Sequence, residues 1–222
     1  MRGYPRSANG ASSMHLFWDV PPIRGARVVE VRATLEVFEA PRVPALWFWA
    51  LQASFGRGGG AHLGLQWHPA HPGSTAANFG GYAQGGGELG GGPLAFPSAL
   101  GNANTCDFAW EPSRPYELAI AEAGEGRWSG SIDGEVVRVL ACADGGDGLV
   151  QPMVWTECFA RCDAPPATVR WSDFAVRSDA GDVVAVTAAR VNYQSVVDGG
   201  CATGRVDDLG HGVWLQTTGV VR

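Results

Sequence analysis

Carboxylates are the first side chains to consider for chemistry. Glycoside hydrolysis needs two, roughly 5–5.5 Å apart for retention and 6.5–9.5 Å for inversion. Glu157 is the leading candidate acid/base, because it closes the apolar run 150–156, where burial would raise its pKa. Asp107 and Asp19 are its candidate partners, although nothing in the linear order pairs them. No Glu-x-Glu or Glu-x-Asp pair lies on an aromatic strand, and Glu30 and Glu36 sit on an ordinary polar face. A hydrogen-bonded structural carboxylate is therefore the preferred reading of Glu157.

Aromatic side chains offer a second chemistry. An indole can bury the flat C–H face of a sugar while polar neighbours bind its hydroxyls. Of the nine Trp, Trp67 and Trp110 are the candidate platforms, with Gln66, His62 and His68 as their polar neighbours. The competing reading places most Trp in the core, because they fall in strand-like runs. Trp47 and Trp49 share one face of such a run and Phe48 takes the other.

Metal chemistry is weakly represented. His62, His68 and His71 have H-x5-H-x2-H spacing, but His68-Pro-Ala-His71-Pro reads better as a turn than as a zinc site. Asp144 and Asp147 could hold Ca²⁺, yet the segment lacks the alternating acids of an EF-hand and reads as a hairpin loop. No metal and no cofactor is expected. There is no Gly-x-Ser-x-Gly motif, and a chain whose 16 cations are all Arg has no lysine Schiff base, P-loop or Ser-Lys dyad. The missing Lys fits a Gly/Ala/Arg-rich, high-GC coding bias of actinobacterial type.

The elements that must position these groups are strands. Val29, Val31, Ala33, Leu35 and Val37 alternate with polar residues, the signature of a half-buried strand. The run 45–51 is too short and aromatic for a surface helix, and reads as a strand covered on both faces. Further strands are expected around 63–67, 116–120, 150–156, 168–171, 174–176, 183–187 and 213–216. Asp133-Gly134 between two alternating runs predicts a tight hairpin. No stretch keeps a 3.6 period, so almost no helix is expected.

Composition agrees. Gly 32 and Pro 14 in 222 residues crowd out helix, while 45 % hydrophobic residues exclude a disordered chain. A net charge of −6 argues against nucleic acid as partner, and no apolar run is long enough for a transmembrane helix. No cleavable signal is evident in 1–20, so the chain as written reads as cytoplasmic. Five Cys leave at least one unpaired, and the pairing of Cys106, Cys142, Cys158, Cys162 and Cys201 is open. Gly is concentrated in 56–101, either as a flexible excursion over a sheet edge or as a binding loop. Residues 14–177 are expected to form the core of a single domain, with 178–222 as an appendage packed on it.

Several segments in order resemble a known family: Leu46-Trp-Phe-Trp49, Gly64-Leu-Gln66, Phe108-Ala-Trp-Glu-Pro-Ser-Arg-Pro-Tyr116, Val154-Trp-Thr-Glu157 and Trp214-Leu-Gln216. Together they are similar to the bacterial family catalogued as domain of unknown function 3472. Ala61-His62-Leu63 and Ser113-Arg114-Pro115 depart from its pattern. The resemblance implies a concanavalin-A-like jelly roll, an all-β sandwich of two antiparallel sheets, in a family whose members are often exported. It implies no activity, since such folds host lectins, glycanases and adhesion modules. The leading expectation is a non-catalytic polysaccharide-binding protein. The alternatives are a glycoside hydrolase or lyase using Glu157, and a structural sandwich without a glycan ligand.

Overall fold

Alternation decides where each strand lies. In Val28–Val37 the apolar set is fully buried and Glu30, Arg32 and Thr34 face outward. In Trp47–Phe55 both faces are apolar up to Leu51, so this strand needs cover on each side. The computed structural model, which describes residues 3–124, 126–142 and 147–221, arranges such strands as a two-sheet antiparallel β-sandwich. A 3-10 turn lies at Pro72–Ser74.

Fifteen strands follow in chain order: β1 (Ser12–Trp18), β2 (Val28–Val37), β3 (Trp47–Phe55), β4 (Gly59–Trp67), β5 (Thr75–Ala83), β6 (Thr105–Asp107), β7 (Pro115–Glu122) and β8 (Arg127–Ile132). The rest are β9 (Glu135–Ala141), β10 (Leu149–Cys158), β11 (Ala167–Ser178), β12 (Val183–Ala185), β13 (Ala189–Tyr193), β14 (Thr203–Gly210) and β15 (Val213–Val221). One sheet runs β13-β1-β10-β3-β4-β5-β6. The other runs β14-β15-β11-β2-β7-β8-β9, with β12 alongside β11. The β8–β9 hairpin turns at Asp133 (φ 51°) and Gly134 (φ 79°), the paired positive φ values that favour Asp-Gly.

Between the sheets lie Trp47, Trp49, Trp128, Trp171 and Trp214 with Phe55, Phe79 and Phe174, all essentially without solvent contact. Trp18, Phe174 and Trp214 form a parallel stack with centroid spacings of 4.5 and 4.9 Å. Gln216, 1 % exposed, joins the sheets: its Oε1 accepts from Thr156 Oγ1 (2.6 Å) and Trp171 Nε1 (3.0 Å), and its Nε2 donates to the Met14 carbonyl (3.2 Å).

The structure refines three readings of the sequence. The 168–171 and 174–176 runs are one strand, β11, bent by a bulge where Asp173 takes φ 55°. The segment after 178 adds strands to both sheets. It supplies β15 to the interior of the second sheet and β13 to the edge of the first, and it buries Val186, Trp214 and Gln216. The Gly-rich stretch is only partly loop: it contributes β4 and β5, and a later part of it runs along β9, with Gly92 N and Ala95 N donating to the Val139 and Val137 carbonyls.

A disulfide joins Cys162, after β10, to Cys201, before β14. Cys106 and Cys158 are buried thiols, pushed up to about 11 and about 12 by burial. No helix among the described residues is long and apolar enough to cross a membrane.

Candidate functional site

Strand alternation sorts the first sheet into two faces. Leu16, Leu51, Leu63, Phe79 and Val154 point into the sandwich. The outer face therefore carries Ser13, His15 and Phe17 from β1, Met153, Trp155 and Glu157 from β10, and Phe48, Ala50 and Gln52 from β3. It continues with His62, Gly64 and Gln66 from β4 and Asn78, Gly80 and Tyr82 from β5.

This outer face has its own apolar cluster of Phe48, Ala50, Met153 and Trp155, with Phe17 packed against it. The Phe48 and Trp155 rings meet edge to face at 4.8 Å. His62 closes a triangle with them at 5.8 and 6.1 Å, and His15 lies 5.9 Å from Phe17 and 6.4 Å from Trp155. Polar groups run through the rings: Trp155 Nε1 donates to Gln52 Oε1 (3.0 Å), and Gln52 Nε2 donates to Tyr82 Oη (3.2 Å). Trp155 is the buried floor, while His15, Phe17, Gln52, His62 and Tyr82 are half-buried around it.

Two local features shape the face. At Gly64 a Cβ would stand 1.9 Å from the Trp49 carbonyl oxygen, so β3 and β4 can lie this close only with glycine there. A bulge in β10 gives Gln151 a φ of 49° and accommodates Pro152 inside a sheet. Beside it opens a cleft of about 250 Å³ lined by Phe17, Trp18, Gln151, Pro152 and Arg190.

The ionisable groups are tuned by burial. His62 is pushed from 6.5 down to about 4 because the packed rings strip water from its charged form, an effect the Asn78 side chain and the Glu88 charge only partly oppose. His15 moves the same way for the same reason. Both imidazoles are neutral at pH 7. Burial raises the Glu157 carboxyl above its ordinary value, partly offset by the Asn9 side-chain amide donating to Oε1 at 3.0 Å.

His62 makes stability depend on pH. The unfolded chain binds a proton on His62 below about 6.5 and the folded chain only below about 4. Stability therefore falls as pH drops through that window and is fully present above it. About 2 kcal/mol is expected, less than the ~3 kcal/mol of the whole displacement, because the ring keeps some solvent contact. Denaturant midpoints of wild type and His62→Gln, measured from pH 7.5 to 4, should converge as pH falls. Parallel curves would show that His62 does not carry the effect.

Several expected site residues lie elsewhere. Glu157 and Asp107 fall on one row of the sheet, Glu157–Phe48–Gln66–Ala76–Asp107, with three strands between them. Strand spacing puts them roughly 19 Å apart, too far for a hydrolytic pair. Asp107 is instead bonded to the buried His71, Oδ1 to Nδ1 at 2.6 Å, and that bond holds its carboxyl below the usual range. Asp19 pairs with Arg190 at 3.0 Å.

Trp110 is a core residue, 3 % exposed, whose Nε1 donates to the Gln66 carbonyl at 3.0 Å. Trp67 packs on the core side against Trp110, with its Nε1 donating to the Val43 carbonyl. Neither lies on the outer face. His68 stands beside His71, ring centroids 4.8 Å apart, in the β4–β5 loop. Of the expected ligand-binding residues, His62 and Gln66 belong to the outer face.

Among the described residues no three His, Cys, Asp or Glu converge as metal ligands. Asp144 lies outside the described residues, and Asp147 is paired with Arg57 at 2.6 Å.

The residues sequence reasoning missed are Trp155, Phe48, Gln52, Tyr82, His15 and Phe17. One signal was available: Trp155 and Glu157 alternate with Val154 and Thr156, so a site at Glu157 implies Trp155 beside it.

No protein-family model and no curated protein sequence matches the chain. Among solved structures, scytalido-glutamic peptidase with a peptide-based transition-state analogue superposes with a TM-score of 0.52 and 12 % identity, over 92 % of this chain and 97 % of that one. SCP-B, a peptidase of the eqolisin family in complex with a tripeptide, gives 0.50 and 11 %, with 92 % and 97 % covered. A prokaryotic β-1,3-1,4-glucanase from a mouse hindgut metagenome reaches 0.40 with 10 % identity over 98 % of this chain and 88 % of that one, a level that carries no argument. At these identities the likeness to the two peptidases is one of fold: the chain shares their two-sheet sandwich.

Proposed function

We propose that the protein binds polysaccharide without cleaving it, through the outer face of the seven-stranded sheet. Membership of the domain of unknown function 3472 family is part of the same proposal. The carrying observation is the ring cluster of Phe48, His62 and Trp155, extended by His15 and Phe17 and threaded by the Gln52–Tyr82 hydrogen bonds. Rings that shed water, bordered by amide and phenol groups, suit a sugar's apolar face and its hydroxyls. The cleft beside Phe17 gives a chain of sugars room to continue.

A glycan array with the purified protein tests this, followed by affinity electrophoresis on the polysaccharides retained. Trp155→Ala should weaken retention at least tenfold, about 1.4 kcal/mol, with the hydrogen-bonding partner Gln52 left in place. Trp155→Phe keeps the packing and should lose less. Retention of no glycan above background would overturn the reading.

A second reading is favoured by one observation, the raised carboxyl of Glu157, which suits a general acid. The two peptidase structures of this fold extend that reading from glycosides to peptides. Release of reducing ends or of peptides from casein between pH 4 and 7, abolished by Glu157→Gln, would establish it in place of the binding reading.

A further inference from the structure

We infer that the outer face takes an uncharged glycan, hydroxyl-rich and free of uronate or sulfate groups, and that Gln66 and Asn78 help to read it. The inference rests on the polysaccharide-binding reading and narrows its ligand.

The first support is charge. The carboxylates on or bordering the face are Glu157, Asp107 and Glu88, the last close enough to act on His62. The cations nearest it are already engaged. Arg190 Nε bonds Asp19 at 3.0 Å, and Arg138 is buried, with Nε donating to the Gly92 carbonyl at 2.8 Å and the guanidinium also reaching Asn104. His15 and His62 contribute no charge at neutral pH. An anionic sugar would meet repulsion here, and the guanidinium in the adjoining cleft, Arg190, already holds the carboxylate of Asp19.

The second support is hydrogen bonding. Gln66 Oε1 is a buried acceptor without a hydrogen-bond partner and Asn78 Oδ1 has none beyond the neighbouring His62 ring, in residues 5 % and 8 % exposed. Gly64 lies between them: Gln66 is two residues along β4, and Asn78 is directly opposite on β5. His15 Nδ1 on the same face also lacks a partner. Such groups are seldom left unpaired. Vacant acceptors call for a ligand that donates, and neutral sugars present several O–H donors per residue. A carboxylate or sulfate would bring acceptors to acceptors.

The test is affinity electrophoresis and calorimetry against a neutral set (mixed-linkage β-glucan, xylan, galactomannan) and an anionic set (polygalacturonate, alginate, κ-carrageenan), at 20 and 200 mM NaCl. Retention is expected on at least one neutral polysaccharide, at least tenfold stronger than on any anionic one, and unchanged by salt. Gln66→Leu and Asn78→Leu should each weaken it about tenfold, with thermal unfolding confirming that each variant is folded. Gln66→Glu, which keeps the size and the acceptor oxygens, should weaken it less. Equal or stronger retention on an anionic polysaccharide would overturn this inference and leave polysaccharide binding standing. Retention on neither set would overturn both. Neutral binding that neither Leu variant alters would remove Gln66 and Asn78 from the site.

Discussion

Replacing Gln216 by leucine is expected to cost about 3–5 kcal/mol, although the volume hardly changes. The substitution strands the Trp171 N–H, the Thr156 hydroxyl and the Met14 carbonyl between the sheets. Each buried group left without a partner costs about 1–3 kcal/mol. In a chain of this length the loss should lower Tm by roughly 6–20 °C. Urea unfolding gives the value directly. Adding Thr156→Val to the variant should recover part of it, because removing both partners of a buried bond costs less than removing one. A loss below about 1 kcal/mol would mean that water replaces the amide and that the sheets are held by packing alone.

Removing the Cys162–Cys201 disulfide is the second large effect. The bridge spans a sequence separation of 39, and the chain-entropy relation assigns such a loop about 4 kcal/mol. Cys162→Ser/Cys201→Ser, or mild reduction of wild type, should lower the denaturant midpoint accordingly. Exchange with Cys106 and Cys158 is disfavoured while the chain is folded. Burial holds Cys106 and Cys158 at about 11 and about 12, so little thiolate exists at pH 7. Loss of less than about 1 kcal/mol would show that the unfolded chain already keeps this loop compact. Bonds of this kind persist in oxidising compartments.

The two predictions touch what sequence reading could and could not reach. The all-β architecture was legible because its signals are local: alternation in 28–37, the Asp133-Gly134 turn and the absence of a helical period. The place of 178–222 was not. Short polar-looking strands such as Ala189–Tyr193 and Thr203–Gly210 acquire their meaning from the partners they pair with, and pairing is nonlocal. The proposed outer-face site was legible only in part. Glu157, Gln66 and His62 were singled out, and all three lie on the outer face. Trp67 and Trp110 were misassigned because a tryptophan beside a histidine-rich loop looks exposed in one dimension. In the fold their N–H groups bond backbone carbonyls on the core side. Asp107 was paired with Glu157 by chemistry alone, and the strand order separates them.

The position of β15 has a consequence for how the molecule is made. β15 lies inside its sheet, between β14 and β11, and it carries Gln216 into contact with β1 and β10. During N-to-C synthesis β1 through β11 leave the ribosome first, and residues 167–171 of β11 stay an open edge until residues 213–221 follow. Most contacts of this sandwich join residues distant in sequence, a topology that folds slowly and leaves strand edges available to other chains meanwhile. The nascent protein is thus exposed to aggregation until β15 is made. A holdase that shields bare β-edges would matter most in that interval.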